Sequence, residues 1–402
     1  MGKKENTLRL RKYILDKTDT EFDPKDSEEP ITVEGDLDLT NVTVEKPLKF
    51  KNYTFKGKIK AIYSTFKESV EFEECTFEQE VNFGDCEQAH TVFEKSVNFK
   101  ECTFERKFHF VGVIVKGMAD FEGSTFEKEV NFLCAKFERA LFLCNTKLHD
   151  EADFKSMNIT SYAKFDKMKC LGEQKNIDFT GSSFGDKVTF EEICCKSKLL
   201  LIAVKVNFFN FKEAKLHNTF DVRYISCNEF FCEGVEFRGK VDFDSTHIKL
   251  TLNLNGSKIY DDFSLKSVVV HQVHFNIDVK SDGRLDLRGF KFEVMKDSGS
   301  KCDMERFLKL FNEKQNDEKF TRDPYIELEC FYRTRGRIKF ADEVHYEGKS
   351  QLRKYAFKKA STINMSRTER WLDGIVKVLT GYGTKNKRLL FILLGVIAFG
   401  AV

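Results

Sequence analysis

Proline and tryptophan are scarce in this sequence, and its positive and negative charges almost cancel. The 402 residues include 4 Pro and 1 Trp, and 66 Lys and Arg stand against 64 Asp and Glu. This balance gives the chain no overall nucleic-acid-binding footprint. A hydrophobic content of 41% excludes global disorder, which requires low hydrophobicity with high net charge. A charged content of 32% excludes a mainly membrane-embedded protein, because so many charges cannot lie in lipid.

The common motifs of catalysis and metal binding are missing as well. The chain has no Walker-type lysine loop, no GxSxG, no HExxH and no CxxC. Its 8 His are scattered, and the two nearest neighbours, His271 and His274, are predicted to lie on opposite faces of a strand. We therefore predict no catalytic residue, no metal site and no cofactor, and we expect that the protein is not an enzyme.

Phenylalanine is the residue that the sequence has in excess, since the chain contains 42 phenylalanines. The spacing between successive phenylalanines often alternates between five and six residues. Such steps keep side chains neither on one helical face nor on one strand face. A chain that turns a corner about every fifth residue explains them, because each short side then directs one Phe inward. The predicted repeat core is Phe66, Phe72, Phe77, Phe83, Phe93, Phe99, Phe104, Phe110, Phe121, Phe126, Phe132 and Phe137, and the run continues with Phe142, Phe154, Phe165, Phe179, Phe184, Phe190, Phe237 and Phe243.

The residues before each Phe follow the same repeat. The residue two positions earlier is small or β-branched, and the residue between them is mostly polar, so the unit is small-inward, polar-outward, Phe-inward. Cys75 and Cys102, and more loosely Cys134 and Cys144, are predicted to fill the small inward position as free thiols.

This unit resembles the pentapeptide-repeat family in its Phe-rich variant, in which steps of five and six alternate. The motifs VNF at 81–83, CTF at 102–104, ADF at 119–121 and VDF at 241–243 carry the resemblance, which covers residues 31–292. It implies a mainly β fold, a right-handed quadrilateral β-helix. Coils of about 20 to 22 residues, stacked at the spacing of paired strands, predict about twelve coils and a solenoid about 60 Å long.

The segments before and after the predicted β-helix do not show its repeat of Phe every five or six residues. Residues 1–30 are expected to form a cap, with a short amphipathic helix over 7–17, or alternatively a mobile tail. Residues 301–360 show helical spacing, a Pro that opens a helix and a Gly that breaks one, and are predicted to form an α-helical hairpin. This hairpin would cap the open strand edges of the last coil.

Charge becomes asymmetric towards the C-terminus. Residues 31–292 carry a net charge of −4, whereas 331–388 carry +10. We interpret 366–388 as a basic juxtamembrane segment and the uncharged run 389–402 as the start of a transmembrane helix cut short by the end of the chain. The alternative is a buried C-terminal helix. The basic flank predicts that residues 1–388 lie on the cytoplasmic side of the cell membrane.

Seven residues are predicted to be membrane-proximal. Trp371 and Tyr382 would be aromatic anchors. Gly381-Tyr382-Gly383 would form an interfacial turn and not a potassium filter, since a filter requires pore helices within the membrane. The full set is Trp371, Gly381, Tyr382, Gly383, Lys385, Lys387 and Arg388.

The segment from Arg370 to Gly400 resembles the junction between pentapeptide repeats and a two-helix cation-channel module. The resemblance implies a bacterial, ion-channel-like membrane protein whose cytosolic region is the β-helix. It also leads us to expect that the gene continues past Val402 with a filter-like loop and a second membrane helix.

The sequence thus favours a non-enzymatic, membrane-tethered scaffold for protein–protein interaction. Its partners would be the inner membrane leaflet, through 331–402, and an unidentified protein. A homo-oligomer is compatible with the resemblance, and no direct nucleic-acid binding is expected. The alternative is a DNA-mimicking protein that binds DNA gyrase or topoisomerase. The net charge of −4 argues against this alternative, and the acidic cluster Glu71, Glu73, Glu74, Glu78 and Glu80 favours it.

Overall fold

A β-solenoid of about twelve coils forms most of the protein in the computed structural model. The structure describes residues 10–15, 31–85, 90–296, 300–315, 320–356, 367–384 and 394. Within the solenoid, strands pair in parallel with the strands one coil before and one coil after. The prediction of a mainly β solenoid with C-terminal helices is confirmed, and its right-handed winding stays an implication of the resemblance.

Four sheets form the four sides of the solenoid, and they are named faces 1 to 4 in the order in which the chain visits them. Face 1 contains Ile31–Val33, Tyr53–Phe55, Thr76–Phe77, Thr103–Phe104, Thr125–Phe126, Lys147–Leu148, Lys169–Cys170, Cys194–Cys195, Lys215–Leu216, Glu236–Phe237, Lys258–Ile259 and Asp278–Val279. Face 2 contains Leu37–Asp38, Ile59–Lys60, Val81–Asn82, Phe108–His109, Val130–Asn131, Ala152–Asp153, Asn176–Asp178, Lys198–Leu200, Phe220–Asp221, Val241–Asp242, Phe263–Ser264 and Leu285–Asp286.

The other two sheets differ in strand number. Face 3 contains Thr43–Val44, Thr65–Phe66, Val92–Phe93, Ile114–Val115, Lys136–Phe137, Asn158–Ile159 and Ser183–Phe184. Face 4 contains Leu48–Lys51, Val70–Glu73, Val97–Asn98, Ala119–Asp120, Leu141–Phe142, Ala163–Lys164, Lys187–Thr189, Phe208–Asn210, Ser226–Phe231, His247–Asn253, Val269–His274 and Lys291–Met295.

The length of a coil explains why steps of five and six alternate. On face 1, Thr103 pairs with Thr125, Thr125 with Lys147, and Lys147 with Lys169, so equivalent positions recur at an interval of 22 in the numbering. Four sides with the same whole number of residues cannot add up to this interval, whereas two sides of five residues and two of six can. The coil between Thr76 and Thr103 is longer than these.

Stacked phenylalanine rings fill the interior along face 1. The Phe104 ring lies 4.8 Å from that of Phe77 and 4.7 Å from that of Phe126, with interplanar angles of 4° and 3°. Parallel strands in register place equivalent side chains one strand spacing apart, about 4.8 Å, which suits stacked rings. All twelve residues of the predicted repeat core are buried.

Phe142 does not belong to this interior, and its predicted inward position is wrong. Its side chain is half-buried, whereas Leu141 and Leu143 on either side of it are fully buried. Side chains alternate along the short strand, so Leu143, six positions after Phe137, takes the inward position. Phe142 lies on the outer surface and makes an edge contact with Tyr162 at 5.8 Å.

Left-handed residues mark two of the four corners in nearly every coil. One column follows face 2 and includes Cys134, Ser156, Gly181 and Ala203, with φ of 57°, 54°, 73° and 55°. The polar residue of the repeat unit supports this corner, because the side-chain oxygen of Asn131 accepts a hydrogen bond from the Leu133 N–H at 2.9 Å. The outward polar residue is therefore a turn cap as well as a solvated side chain.

Faces 3 and 4 merge in the C-terminal coils. The long strands Ser226–Phe231, His247–Asn253 and Val269–His274 span both faces, with a register shift in their pairing. The shift changes the simple alternation of side chains, so that Val270 and Val273 are both buried. The predicted placement of His271 and His274 on opposite faces is wrong for this reason, since neither histidine is buried.

Helical segments pack at both ends of the solenoid. Residues 10–15 are helical and bury Leu10 and Ile14. After the last coil, the described residues form the helices α1 (Lys301–Lys314), α2 (Asp323–Thr334), α3 (Ile338–Ala356) and α4 (Arg367–Thr380). Helix α2 packs on the strand Lys291–Met295, and the Lys314 ammonium donates to the Lys280 carbonyl oxygen at 2.6 Å. The helices therefore cover the edge of the last coil. Three helices lie within 301–360, the range predicted to form a hairpin.

Replacing Phe104 by Ala should lower the free energy of unfolding by about 3–5 kcal/mol, because the change opens a cavity between two stacked rings. Phe142→Ala is the matched control and should cost about 1 kcal/mol or less, since its ring lies at the surface. Urea unfolding of both variants measures the difference. Equal losses would contradict the assignment of Phe142 to the outer surface.

Gly181 and Ala203 occupy equivalent left-handed corners on neighbouring coils. Substituting each by the other residue type tests whether this conformation strains a residue that has a Cβ. Gly181→Ala should lower the free energy of unfolding by about 1 kcal/mol through backbone strain alone, because the added Cβ would meet its nearest atom at an ordinary 3.7 Å. Ala203→Gly should raise the free energy of unfolding by up to about 1 kcal/mol. The gain is limited because the relief of strain is partly offset by the greater conformational entropy of the unfolded chain. Thermal unfolding measures the stability of both variants. A change of both midpoint temperatures in the same direction would contradict the proposed backbone strain at these corners.

Candidate docking surfaces

The cysteines fill structural positions. Cys75 and Cys102 are buried, and their thiols donate to the carbonyl oxygens of Phe50 at 3.4 Å and Phe72 at 3.3 Å, on neighbouring coils. The Ser182 hydroxyl makes the equivalent contact to the Phe154 carbonyl oxygen at 2.6 Å. A thiol thus replaces a hydroxyl in the small inward position, and it satisfies a backbone acceptor there.

Two cysteines predicted to occupy the inward position lie elsewhere. Cys134 is exposed at a left-handed corner, and Cys144 is only half-buried. Neither cysteine lies two positions before a Phe, as Cys75 and Cys102 do. Partial burial raises the pKa of the Cys144 thiol to about 11, and deeper burial raises that of Cys227 to about 12.

Metal-binding side chains do not converge in the part of the chain that the structure describes. There, no group of three or more His, Cys, Asp or Glu is placed to hold a metal ion. His271 contacts Glu293 at 2.9 Å on the surface, and the half-buried His345 contacts Glu329 at 2.8 Å.

The outer surface of the solenoid carries Lys–Glu pairs that link neighbouring coils. The ammonium nitrogen lies 2.8 Å from the carboxylate oxygen in the pair Lys107–Glu129 and 2.6 Å in Lys116–Glu94. These bonds raise the pKa of Lys107 and Lys116 above the usual range. Exposed pairs of this kind contribute little stability, but they neutralise the surface locally.

Four of the five glutamates of the predicted acidic cluster are paired in the same way. Lys49 lies 3.4 Å from Glu71, and Lys58 lies 3.9 Å from Glu80. Lys51 lies 3.6 Å from both Glu73 and Glu74. A DNA mimic requires a continuous negative surface, and these neighbouring lysines offset part of the negative charge of the cluster.

The polar side of helix α4 is the side that contacts the rest of the protein. The Lys377 ammonium donates to the Ser350 hydroxyl of α3 at 2.8 Å. Gly374 faces the Arg353 guanidinium so closely that a Cβ there would lie 2.6 Å from it. These contacts dock α4 on the helical cap through charged and polar groups.

A turn follows α4, and Tyr382, which is predicted to be an aromatic anchor, packs within it. Gly381, Tyr382 and Gly383 all have left-handed φ, at 55°, 57° and 84°. Tyr382 is buried, and its hydroxyl donates to the Asp373 carboxylate at 2.8 Å. Burial and this hydrogen bond raise the pKa of the Tyr382 hydroxyl above its ordinary value.

Trp371, the other predicted anchor, is 69% exposed. Sequence reasoning missed three exposed neighbours on the same helix, Leu372, Val376 and Val378. Their helical spacing was a signal that could have identified an apolar face. Which face points outward depends on the contacts of Asp373, Gly374 and Lys377, which only the tertiary structure reveals.

The remaining membrane-proximal residues, Lys385, Lys387 and Arg388, lie outside the described residues. So does the run 389–402 with the exception of Leu394, which is helical and exposed. Across the part of the chain that is described, none of the helices combines the length and the apolar character that spanning a membrane requires. The transmembrane prediction is thus without support from these residues.

One comparison with known proteins finds a match. A family model described as pentapeptide repeats (9 copies) matches residues 89–133. No curated protein and no solved structure matches the chain. From residue 90 onward, the matched residues occupy consecutive coils in the first half of the solenoid, so similarity to pentapeptide repeats and the β-solenoid fold agree there. A fusion to a membrane module has no support from these comparisons.

The described thiols should divide into two reactivity classes in the native protein near neutral pH. Alkylation by iodoacetamide should be fast at the exposed residues Cys134, Cys302 and Cys330. It should be slow at Cys75, Cys102, Cys170, Cys195, Cys227 and Cys232, because burial excludes the reagent. Peptide mass spectrometry after timed alkylation measures each site. Fast labelling of Cys102 would contradict its place in the core, and labelling in denaturant is the control.

Proposed function

We propose that this protein is a non-enzymatic scaffold, held at the cytoplasmic face of a cell membrane by its C-terminal region. The solenoid would present its charged sides to a protein partner, and homo-oligomers are compatible with this role. The similarity to pentapeptide repeats over 89–133 supports a solenoid scaffold. Most of the chain has a structural role in this proposal, because the inward side chains of the solenoid pack against equivalent side chains of neighbouring coils.

The tether is proposed from a single feature, the order of segments after the last coil. The helical cap leads into α4 and the turn 381–384, and the basic residues Lys385, Lys387 and Arg388 follow. The run 389–402 comes directly after them and carries no charge. Basic residues beside an apolar run are typical of the cytoplasmic end of a membrane segment.

An ion-channel-like protein is the most specific version of this proposal. The chain would then be the cytosolic region that precedes the channel module. The resemblance of the segment from Arg370 to Gly400 to such a junction is its only support. Sequencing the gene downstream of Val402 tests this version, which a stop codon at that point would contradict.

Removing residues 389–402 should release the protein from membranes. The chain 1–402 and a chain that ends at Arg388 are produced in bacterial cells and separated by centrifugation of the lysate. We expect the longer chain in the membrane fraction, resistant to high salt, and the shorter chain strongly reduced there, because a long apolar run attaches more firmly than any other part of the chain. Recovery of intact 1–402 in the supernatant would contradict the tether.

A DNA gyrase supercoiling assay separates the scaffold from the DNA-mimic alternative. The scaffold proposal predicts that the purified protein leaves gyrase activity unchanged. Inhibition or protection of gyrase at a stoichiometric ratio would favour the DNA mimic instead.

A further inference from the structure

Helix α4 is amphipathic, yet it packs on the protein with its polar side. Helices on protein surfaces usually bury their apolar stripe against the core. In α4 the contacts to α3 come from Lys377, which bonds Ser350, and from Gly374, which lies against Arg353. Asp373, on the same side, accepts the hydrogen bond from the buried Tyr382.

The opposite side of α4 is therefore an outward apolar face. Trp371, Leu372, Val376 and Val378 are 69%, 56%, 45% and 66% exposed. At 100° per residue these four positions fall within an arc of about 160°. Asp373, Gly374 and Lys377 lie on the remaining side of the helix. Ile375 and Leu379 fall within the same arc and are half-buried. From Trp371 to Leu379 this arc is therefore apolar, and it contains the single Trp of the chain.

Charge and chain order indicate what covers this face. Residues 331–388, which include α4, carry a net charge of +10, which attracts an anionic surface. Only the short turn 381–384 separates α4 from the segment that contains Lys385, Lys387, Arg388 and the uncharged run. An apolar face with Trp, on a basic segment next to an apolar run, matches the chemistry of a lipid bilayer interface.

We propose that α4 is an in-plane membrane helix, which lies in the interface of an anionic bilayer with Trp371, Leu372, Val376 and Val378 among the lipids. The turn 381–384 and the polar contacts to α3 would then hold the helical cap against the bilayer surface. This inference rests on the proposed membrane tether, and it adds a second and separate contact with the lipid.

The single Trp makes this contact directly measurable. Full-length protein is mixed with vesicles made of two parts phosphatidylcholine to one part phosphatidylglycerol, and binding is measured by flotation. On bound protein, Trp371 emission should shift to the blue, iodide quenching should fall, and brominated lipid should quench the emission. Anionic lipid should strengthen binding about tenfold or more over pure phosphatidylcholine.

A double variant, Leu372→Glu with Val376→Glu, separates the helix contact from the tether. The variant should still float with vesicles through the tether, but its Trp371 emission should stay as in water. Met118→Glu is the matched control, because Met118 is 47% exposed on the solenoid and should leave both signals unchanged. Thermal unfolding of the three proteins checks that the exposed substitutions leave the fold intact.

The outcomes distinguish the two proposals. Flotation of the parent protein with a Trp371 emission unchanged from water would overturn the in-plane helix and leave the tether standing. Absence of flotation would overturn both. A blue shift without vesicles that grows with protein concentration, together with a dimer by mass, would show that a second copy covers the face and would overturn the lipid assignment.

Discussion

Register between neighbouring coils is the constraint on which the rest of the structure depends. Parallel pairing at one strand spacing places each side chain over its equivalent one coil away, as Phe104 lies over Phe77 and under Phe126. A flat ring tolerates such stacking without a gap. The same register places Lys107 beside Glu129 on the outer surface. One geometric repeat therefore determines both the apolar interior and the charge pairs outside it.

Each position of the repeat unit has a physical requirement that the register imposes. The small inward residue lies close to a carbonyl of the preceding coil, which explains why the Ser182 hydroxyl and the Cys102 thiol both donate a hydrogen bond there. The polar residue, as at Asn131, caps the corner that follows it. The corner itself needs a left-handed residue, and Gly181 adopts this conformation with less strain than Cys134 does.

The ends of the solenoid are where this regularity stops. An open coil exposes unpaired strand edges, and the C-terminal helices cover them at the strand Lys291–Met295. Helix α4 extends this cap through polar contacts, so its apolar face remains outward. The charge distribution follows the same division, with a nearly neutral solenoid and a strongly basic C-terminal region. The proposed membrane contacts all lie in that region.

Spacing predicted a chain that turns a corner about every fifth residue, because a side chain must point inward once per short side, and the resemblance to pentapeptide repeats implied the four-sided solenoid. Spacing also determined the helical cap, since Pro324 opens a helix and Gly336 interrupts one. It could not distinguish Phe142 from Leu143, because adjacent apolar residues compete for one inward position and local strand alternation decides. It could not place His271 and His274, because the register shift arises where two faces merge. The outward face of α4 was likewise decided only by tertiary contacts, since an amphipathic pattern is the same whichever side the protein binds.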